Sequence, residues 1–331
     1  MEVELAGSLG ELAGIIPLRG LGTFQAAKSN PPGIIKKAVL DALEAGYRHI
    51  DTAWAYGDGQ SEKEVGDAIR ETSLSRDEIY VVTKLPNTFH RPEDVEPALD
   101  MSLSNMGLEY VDLYLMHNAY AYMADENHKT IRKQDGSGKP LVDVSLSKAY
   151  PDTFEAMKKL KVSGKTRAIG VSNFNVIKLK RLIEVCGVVP AANQVEINPY
   201  FPQTELVAFC RSYKIQVIAH CPLGGALDSR VAGRAGSGPL QDLLINYIAE
   251  RNHKTAAQVI LAWMVNLGIC VIPKSDHIER IRENFDVAFP LTEVERELIN
   301  RITVPNSGPQ RNMVSAGHIG FDTFDEEQDL P

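Results

Sequence analysis

The chain has 331 residues, a formal net charge of -8 and a sequence pI near 5.6. Hydrophobic residues make up 44% and charged residues 24%, which is enough apolar material for a large core and argues against bulk disorder. The net negative charge argues against a nucleic-acid partner, because proteins that bind nucleic acids cluster cations to displace counterions from phosphate.

The four cysteines lie far apart in the sequence, and neither they nor the histidines form a pair with metal-ligand spacing. We therefore expect reduced thiols and no metal site. No run approaches the roughly 20 apolar residues of a membrane helix, and the first residues lack the basic and apolar regions of a signal peptide. The sequence predicts a cytoplasmic protein without a membrane partner.

Short apolar strands alternate with amphipathic helices along the chain. Residues 15–24 predict a strand with a glycine-rich exit, followed by a helix from about residue 33 that ends at Gly46. Helices are then predicted over 61–72, 92–106, 152–163, 175–186, 204–213, 240–267 and 277–288. Strands are predicted to end at Asp51, Lys84 and His117, and to cover 168–172, 192–195, 216–219 and 270–273. Asp152 and Glu155 have the spacing of a capping box, and Asn175 is expected to cap the next helix.

Eight strands, each with a following helix, favour one α/β domain over residues 1–331, built as an eight-stranded parallel (β/α) barrel of the TIM type. An open doubly wound sheet shares the alternation, but no G-x-G-x-x-G follows the first strand. The polar segment 119–150 is expected to be a loop over the carboxyl ends of the strands. The glycine-rich stretch 222–239 is expected to be a mobile flap.

Three successive strands end on groups that can handle a proton. Asp51 ends one strand and is followed by Tyr56, and Lys84 and His117 end the next two. Because the carboxyl ends of barrel strands face one pocket, we expect these four side chains to meet. Lys84 would then lower the pKa of Tyr56 and make the phenol a usable proton donor near neutral pH.

The chain resembles the aldo-keto reductase family from residue 20 to about residue 284. The resemblance rests on residues 46–53 with Tyr56, and on 113–117, 164–174 and 272–275, which match family motifs in the family's order. It implies a barrel reductase that uses NADPH without a metal and acts on a small-molecule carbonyl substrate. It also implies a monomer, which is the usual state in the family.

By this resemblance, Asp51, Tyr56, Lys84 and His117 match the catalytic tetrad. Tyr56 would give its proton to the substrate oxygen while the nicotinamide delivers hydride to the carbonyl carbon. Lys84 would stabilise the phenolate, Asp51 would position Lys84, and His117 would orient the carbonyl oxygen. Each residue alone has an ordinary structural interpretation, but the set in this order favours the catalytic one.

The resemblance also assigns residues to the cofactor. Ser172, Asn173 and Gln194 match residues that bind the nicotinamide carboxamide, and His220 stands where most relatives stack a tyrosine on the ring. A core histidine is the alternative for His220, and its titration could make the contact depend on pH. The residues expected at the cofactor are Gly22, Thr23, Asp51, Ser172, Asn173, Gln194, His220, Cys221, Leu223, Lys274, Ser275, Asp276, Arg280, Glu283 and Asn284.

The adenosine end of the site decides between NADPH and NADH. Lys274 and Arg280 match positions that would pair with the 2'-phosphate of NADPH, although both could be solvated surface charges. Asp276 would repel that phosphate, and an acidic residue can instead hold the free ribose hydroxyl of NADH. Because two cations outnumber one anion, we expect NADPH, with NADH as a second possibility.

Phe24, Tyr56, His117 and Asn118 are expected to contact the substrate. Phe24 and Asn118 stand where many relatives carry tryptophan, so the resemblance implies a carbonyl substrate that is more polar, or differently shaped, than a simple aromatic aldehyde. The tail 303–331 is expected to be a substrate-side loop or an anchored acidic tail, with Phe321 and Phe324 as its apolar contacts.

Two other functions remain open from the sequence. A Schiff-base aldolase would also place a lysine such as Lys84 at the end of a barrel strand. A regulatory subunit would keep the fold and the bound cofactor without catalysis, although all four tetrad positions are filled.

Overall fold

The computed structural model describes residues 2–3, 16–24, 31–224, 238–302 and 311. Most of the predicted flap 222–239 lies outside the described residues, and so does the tail 303–331 apart from Arg311. Phe321 and Phe324 are therefore also outside them.

Eight parallel strands form one sheet, and strands that follow each other in the chain are neighbours in the sheet. The last strand returns to the first, because Arg19 forms a parallel bridge with Val271 and the Gly22 amide donates to the Pro273 carbonyl at 3.2 Å. The predicted eight-stranded parallel barrel is confirmed. Its strands are β1 (Gly20–Gly22), β2 (His49–Asp51), β3 (Tyr80–Leu85), β4 (Val111–Met116), β5 (Thr166–Ser172), β6 (Ala192–Glu196), β7 (Gln216–His220) and β8 (Cys270–Val271).

Amphipathic helices pack against this sheet. In the first of them, Ile35, Val39 and Leu43 lie on one buried stripe at helical spacing, and Gly46 ends the helix in a left-handed conformation with φ 105°. The helices are α1 (Ile34–Ala45), α2 (Gln60–Glu71), α3 (Val95–Met106), α4 (Val144–Lys148), α5 (Tyr150–Val162), α6 (Val176–Cys186), α7 (Thr204–Ser212), α8 (Leu243–Arg251), α9 (Ala256–Asn266), α10 (Ile278–Phe285) and α11 (Glu293–Asn300).

The prediction of a single helix over 240–267 is wrong, because the chain forms two helices there. Thr255 and Gln258 make a reciprocal capping box: the Thr255 hydroxyl accepts from the Gln258 amide at 3.2 Å, and the Gln258 side chain accepts from the Thr255 amide at 3.0 Å. These bonds satisfy amides that have no partner at a helix start, so α9 begins anew after α8 ends. The helix α11 was not predicted at all.

Of the two predicted caps, one is right and one is wrong. The Asn175 side chain accepts from the Lys178 amide at 2.8 Å and starts α6 as expected. Asp152 does not cap α5, because this helix already begins at Tyr150 with Pro151 in its first turn. A proline suits that position since its missing N–H would have no partner there.

The segment 119–150 is more regular than the predicted loop. Ala121–Tyr122 pairs with Val142–Asp143 in an antiparallel ribbon, and α4 follows directly. The Asn87 side chain donates to the Tyr120 carbonyl at 2.7 Å, and the His128 ring stacks on Phe89 with the centroids 4.1 Å apart. The segment therefore packs against the loop that follows β3, at the carboxyl end of that strand.

Candidate active site

The register between neighbouring strands determines which side chains meet inside the barrel. Asp51 on β2 pairs with Val82 on β3, and Lys84 lies two residues further along β3. Alternate residues of a strand point to the same face, so Asp51 and Lys84 both face the interior near its carboxyl end. The same rule brings Gln194 of β6 to the face of its partner Ser172 on β5.

Lys84 is completely buried and lies at the centre of this interior cluster. Its Nζ donates to Asp51 Oδ1 at 2.6 Å, to the Thr52 carbonyl at 2.9 Å and to the Tyr56 hydroxyl at 3.2 Å. All three hydrogens of the ammonium group thus have an oxygen acceptor. Lys84 therefore contacts both Asp51 and Tyr56, as the sequence predicts.

Burial and charge act in opposite directions on this cluster. Burial raises the pKa of Tyr56, the Lys84 ammonium lowers it, and the net direction is upward. Lys84 therefore acts in the predicted direction, but burial outweighs it. Burial likewise lowers the pKa of Lys84, whereas Asp51 and Tyr56 raise it, and the net direction is again upward. At neutral pH the site holds a protonated phenol beside a charged ammonium.

His117 follows β4 and lies beside the phenol. Its ring centroid is 5.9 Å from that of Tyr56, and the two planes are 77° apart. Burial lowers the pKa of His117 well below its usual value, and the charge of the Lys84 ammonium lowers it further. The imidazole is therefore neutral at neutral pH. Its Nδ1 atom is buried and has no hydrogen-bond partner among the described residues.

Gln194, which the sequence assigns to the nicotinamide carboxamide, also has a partner within the protein. Its side-chain amide donates to Asp51 Oδ2 at 2.6 Å, so the Asp51 carboxylate receives Lys84 on one oxygen and Gln194 on the other. Ser172 donates its hydroxyl hydrogen to the Gln194 backbone carbonyl at 2.8 Å. Gln194 thus fixes the carboxylate that holds Lys84.

Three asparagines form a hydrogen-bonded row across the mouth of the barrel, which we call the amide row: Asn173, Asn118 and Asn87. The Asn173 amide nitrogen donates to Asn118 Oδ1 at 3.1 Å, and the Asn118 nitrogen donates to Asn87 Oδ1 at 3.2 Å. One end of the row reaches His220, whose Nε2 lies 3.0 Å from Asn173 Oδ1. The other end reaches the Tyr120 carbonyl.

Two backbone carbonyls fix the direction of the amide row. The carbonyls of Tyr120 and His117 can only accept, so the amide nitrogens of Asn87 and Asn173 must face them, at 2.7 and 3.0 Å. The Asn173 oxygen then faces His220, whose Nε2 must carry the proton. Burial, with the charges of Lys84 and Arg311, lowers the pKa of His220 to about 3. The His220 ring is therefore neutral at neutral pH.

The loop that carries Tyr56 is anchored by buried hydroxyl groups. Thr52 donates to Ser61 at 3.2 Å, Ser61 donates to Thr23 at 2.8 Å, and Thr23 donates to the Asp51 carbonyl at 2.9 Å. The neighbouring Gly22 leaves no room for a side chain, because a Cβ atom there would lie 2.7 Å from the Ile272 carbonyl. These contacts join β1, β2 and the start of α2 around the phenol.

Lys274 and Asp276, expected at the adenosine end, pair with each other. Lys274 Nζ donates to Asp276 Oδ2 at 3.2 Å. Burial raises the pKa of Asp276, the Lys274 ammonium lowers it, and the net direction is downward. Arg280 is exposed in the first turn of α10, and the His277 side chain does not cap this helix. A cation and the first amides of a helix therefore lie together.

The remaining candidate residues differ in exposure. Phe24 is 60% exposed and meets the Tyr56 ring edge-on, with the centroids 5.1 Å apart. Cys221 has a left-handed backbone with φ 49°, and burial with the charge of Glu196 raises its pKa to about 12. Glu283 is exposed, Leu223 is half-buried, and Ser275 and Asn284 are buried.

Sequence reasoning missed three residues around the phenol. Asn87 extends the amide row, the Thr52 carbonyl accepts from Lys84, and Ser61 anchors the Tyr56 loop. Asn87 had a signal, since it is a polar residue just beyond the strand that carries Lys84. In the described part of the chain, no three His, Cys, Asp or Glu side chains group as a metal site would require. No helix there has both the length and the apolar character needed to cross a bilayer.

The sequence model of the Aldo/keto reductase family matches residues 20–303. The chain belongs to the aldo-keto reductase family. It is 42% identical over 316 residues to the Glycerol 2-dehydrogenase (NADP(+)) of Saccharomyces cerevisiae, with 93% of this aldo-keto reductase and 94% of the relative covered. It is 41% identical over 295 residues to Aldo-keto reductase family 1 member A1 of Xenopus tropicalis, with 87% and 85% covered.

Solved structures agree with this assignment. The aldose reductase from Schistosoma japonicum superimposes with a TM-score of 0.82 at 32% identity and covers 99% of this aldo-keto reductase and 100% of its own chain. An aldo/keto reductase from Brucella melitensis gives a TM-score of 0.72 at 35% identity, with 91% and 98% covered. The protein is an oxidoreductase of the family that acts on aldehydes and ketones.

Proposed function

We propose that this protein reduces an aldehyde or ketone to the alcohol with NADPH, reversibly, and that Tyr56 donates the proton. The observation that carries the proposal is the hydrogen bond from Lys84 Nζ to the Tyr56 hydroxyl at 3.2 Å. The same Lys84 ammonium forms a buried ion pair with Asp51. A phenol is a weak acid in water, and a fixed ammonium stabilises the phenolate that forms when the proton leaves.

The chain's own residues divide the proton chemistry among them. When bound, the nicotinamide supplies the hydride for the carbonyl carbon. Tyr56 gives its proton to the carbonyl oxygen, and Lys84 stabilises the resulting phenolate. Asp51 keeps Lys84 charged and in place, while Gln194 holds the second oxygen of Asp51 at 2.6 Å. His117 is neutral, so it can orient the carbonyl oxygen with an N–H and adds no charge that would oppose Lys84.

The chemistry of the interior fits a nicotinamide group. Ser172, Asn173 and Gln194 bring hydroxyl and amide groups to the same end of the barrel as Tyr56, and a carboxamide both donates and accepts hydrogen bonds. The nicotinamide-side set comprises Gly22, Thr23, Asp51, Ser172, Asn173, Gln194, His220, Cys221 and Leu223. The neutral His220 ring would lie against the cofactor in the place of the usual tyrosine.

NADPH is favoured at the adenosine end. The yeast relative carries NADP(+) in its name, which supports the same cofactor here. Lys274 and Arg280 supply two cations for the 2'-phosphate, with Ser275, Glu283 and Asn284 beside them. Asp276 already pairs with Lys274, so it would offset part of that attraction and leave NADH as a second cofactor.

The two alternative functions lose support. A Schiff-base lysine must present a neutral amine, whereas the pKa of Lys84 is raised by Asp51 and Tyr56 above its usual value. A non-catalytic subunit would not require a phenol that is hydrogen-bonded to a buried ammonium group. We further propose that the chain is one domain, acts in the cytoplasm as a monomer, and binds the substrate through Phe24, Tyr56, His117 and Asn118.

Replacing Tyr56 with phenylalanine tests the proposal, since this change removes one hydroxyl group. We expect turnover to fall at least about a hundredfold with NADPH binding retained, because the proton donor is lost and the ring remains. The measurement is a panel of aldehydes and ketones run with NADPH and NADH in parallel, with cofactor binding followed by fluorescence. Turnover equal to the wild type in Tyr56→Phe would refute the proton-donor role.

A further inference from the structure

Glu62 is a completely buried carboxylate that the proposed reaction does not use. Its Oε1 atom accepts from the Thr83 hydroxyl at 2.7 Å, and its Oε2 atom accepts from the Asn105 side-chain amide at 2.9 Å. Burial raises the pKa of Glu62, these hydrogen bonds lower it, and the net direction is upward. Both donors are neutral, so neither offsets the cost of burial with a charge of its own. Buried polar contacts of this kind fix one geometry.

The hydrogen bond between Glu62 and Thr83 links the loop of Tyr56 to the strand of Lys84. The Ser61 amide donates to the Tyr56 carbonyl at 3.2 Å, and Glu62 is the next residue of α2. Thr83 directly precedes Lys84 in β3. Because neighbouring residues of a strand point to opposite faces, Thr83 faces the helices while Lys84 faces the interior of the barrel. The carboxylate therefore holds the strand from behind, beside the ammonium group.

The contact between Tyr56 and Lys84 is the one that depends most on this link. Lys84 Nζ lies 2.6 Å from Asp51 Oδ1, 2.9 Å from the Thr52 carbonyl and 3.2 Å from the Tyr56 hydroxyl. The last distance is at the long end of the range for an N–H···O hydrogen bond. If α2 moved away from β3 by about half an ångström, the bond to Tyr56 would be lost before the other two.

Glu64 is a second buried carboxylate of α2, and its contacts are different. It accepts from three amides at the start of α1, those of Gly33, Ile35 and Lys36, at 3.0, 2.9 and 3.1 Å. The first amides of a helix have no partner within the helix. Glu64 therefore joins α2 to α1, whereas Glu62 joins α2 to β3.

We propose that Glu62 is a positioning residue, which sets the distance between the Tyr56 hydroxyl and Lys84 Nζ through Thr83. Glu62 lies behind the strand and acts on proton transfer only through the contact between these two groups. This inference rests on the proposed role of Tyr56 as the proton donor. It adds to that reaction a residue that keeps the donor and the ammonium together.

The test is Glu62→Gln, which replaces one acceptor oxygen with an amide nitrogen at a position where both partners donate. In the full-length enzyme with saturating NADPH, we expect kcat for an aldehyde to fall about tenfold, because a displaced proton donor slows the transfer. The dissociation constant of NADPH, followed by fluorescence, should stay within about twofold of the wild type.

Glu64→Gln is the matched control, since it makes the same change in the same helix. It should lower the midpoint of urea unfolding to a similar extent, because it also weakens the hydrogen bonds of a buried carboxylate. Its kcat should stay within about twofold of the wild type. If Glu62 only stabilised the fold, the two variants would have the same kcat.

The alkaline limb of the kcat profile separates position from charge, because it reports the pH at which the bound enzyme loses the Tyr56 proton. The Lys84 ammonium lowers the pKa of Tyr56, so a longer contact would raise it. Loss of the Glu62 charge alone would lower that pKa, because a nearby anion disfavours the phenolate. We therefore expect the limb to move upward by about half a pH unit in Glu62→Gln. The other titratable groups beside the phenol are unchanged in this variant: Asp51, His117 and Cys221.

The outcomes separate the two proposals. A wild-type enzyme that oxidises NADPH with no carbonyl compound would overturn the proposed function. With an active wild type, an unchanged kcat in Glu62→Gln would overturn only the present inference. An equal loss of kcat in Glu64→Gln would overturn it too, and so would an alkaline limb that stays in place or moves downward. If Glu62→Gln does not fold, Thr83→Val removes the other partner of the same hydrogen bond and takes its place in each comparison.

Discussion

At the scale of single residues, the site combines one buried ion pair with neutral hydrogen-bonding groups. Lys84 is the charge that the proposed mechanism uses, and Asp51 balances it at 2.6 Å. His117 and His220 are both neutral because burial and the Lys84 charge lower their pKa values. In the proposed reaction the electrostatic stabilisation therefore acts on one atom, the Tyr56 oxygen, at which negative charge would develop as the proton is transferred.

In the proposed cofactor site, Asp276 would limit the preference for NADPH. We expect Asp276→Asn to lower the KM for NADPH about threefold, because Lys274 is released from its partner in a partly exposed, screened environment. The KM for NADH should stay the same or rise. Steady-state kinetics with both cofactors measures this at low salt and at about 0.5 M salt, where screening should reduce the effect to about half or less.

A matched control comes from the same region. Glu279→Gln also removes one carboxylate, from an exposed side chain in the first turn of α10. It should change the two KM values by less than about twofold. Equal improvement for NADPH and NADH in Asp276→Asn would contradict the repulsion of the 2'-phosphate.

At the scale of elements, polar contacts behind the pocket join the parts that carry the candidate tetrad. Glu62, in the first turn of α2, is completely buried and accepts from Thr83 at 2.7 Å and from Asn105 at 2.9 Å. Thr83 directly precedes Lys84, so α2, α3 and β3 meet at one carboxylate. The Tyr56 loop leads directly into α2 and is thereby held relative to the strand of Lys84.

The boundary between α8 and α9 gives a prediction at this scale. Thr255→Ala removes the hydroxyl that accepts from the Gln258 amide, so we expect the free energy of unfolding to fall by about 1 kcal/mol. Thr255→Ser keeps a hydroxyl at the cap and should lose less than half as much. Urea unfolding of the three proteins measures the difference. An unchanged midpoint in Thr255→Ala would mean that the capping box does not stabilise the start of α9.

At the scale of the whole molecule, local periodicity in the sequence was sufficient to predict the barrel. The eight strands and their polar ends at Asp51, Lys84 and His117 were predictable, because a parallel barrel gathers the carboxyl ends of its strands. The bond between Gln194 and Asp51 was not, since their strands lie far apart in the chain and no local pattern encodes how a side chain is oriented across the barrel. The upward net direction of the Tyr56 pKa also escaped prediction, because it depends on burial by the assembled fold.

Folding also buries histidines in the neutral form, which makes stability depend on pH. His90 is completely buried, neither ring nitrogen has a hydrogen-bond partner among the described residues, and burial lowers its pKa to about 3. The pKa values of His49, His117 and His220 are lowered as well. Above the usual histidine pKa of about 6.5, both the folded and the unfolded chain are neutral at these positions.

Below that pH only the unfolded chain takes up the proton of His90, so stability is lost as the pH falls from about 6.5 towards the folded pKa of about 3. The loss approaches about 1.4 kcal/mol per pH unit for each such histidine. We expect His90→Leu to lessen the slope by that amount in urea unfolding between about pH 5.5 and about pH 4. The same change at His277, whose side chain is 62% exposed, should leave the slope as it is. Parallel curves for the wild type and His90→Leu would mean that this imidazole gains its proton in the folded state too. Its complete burial, without a hydrogen-bond partner among the described residues, argues against that result.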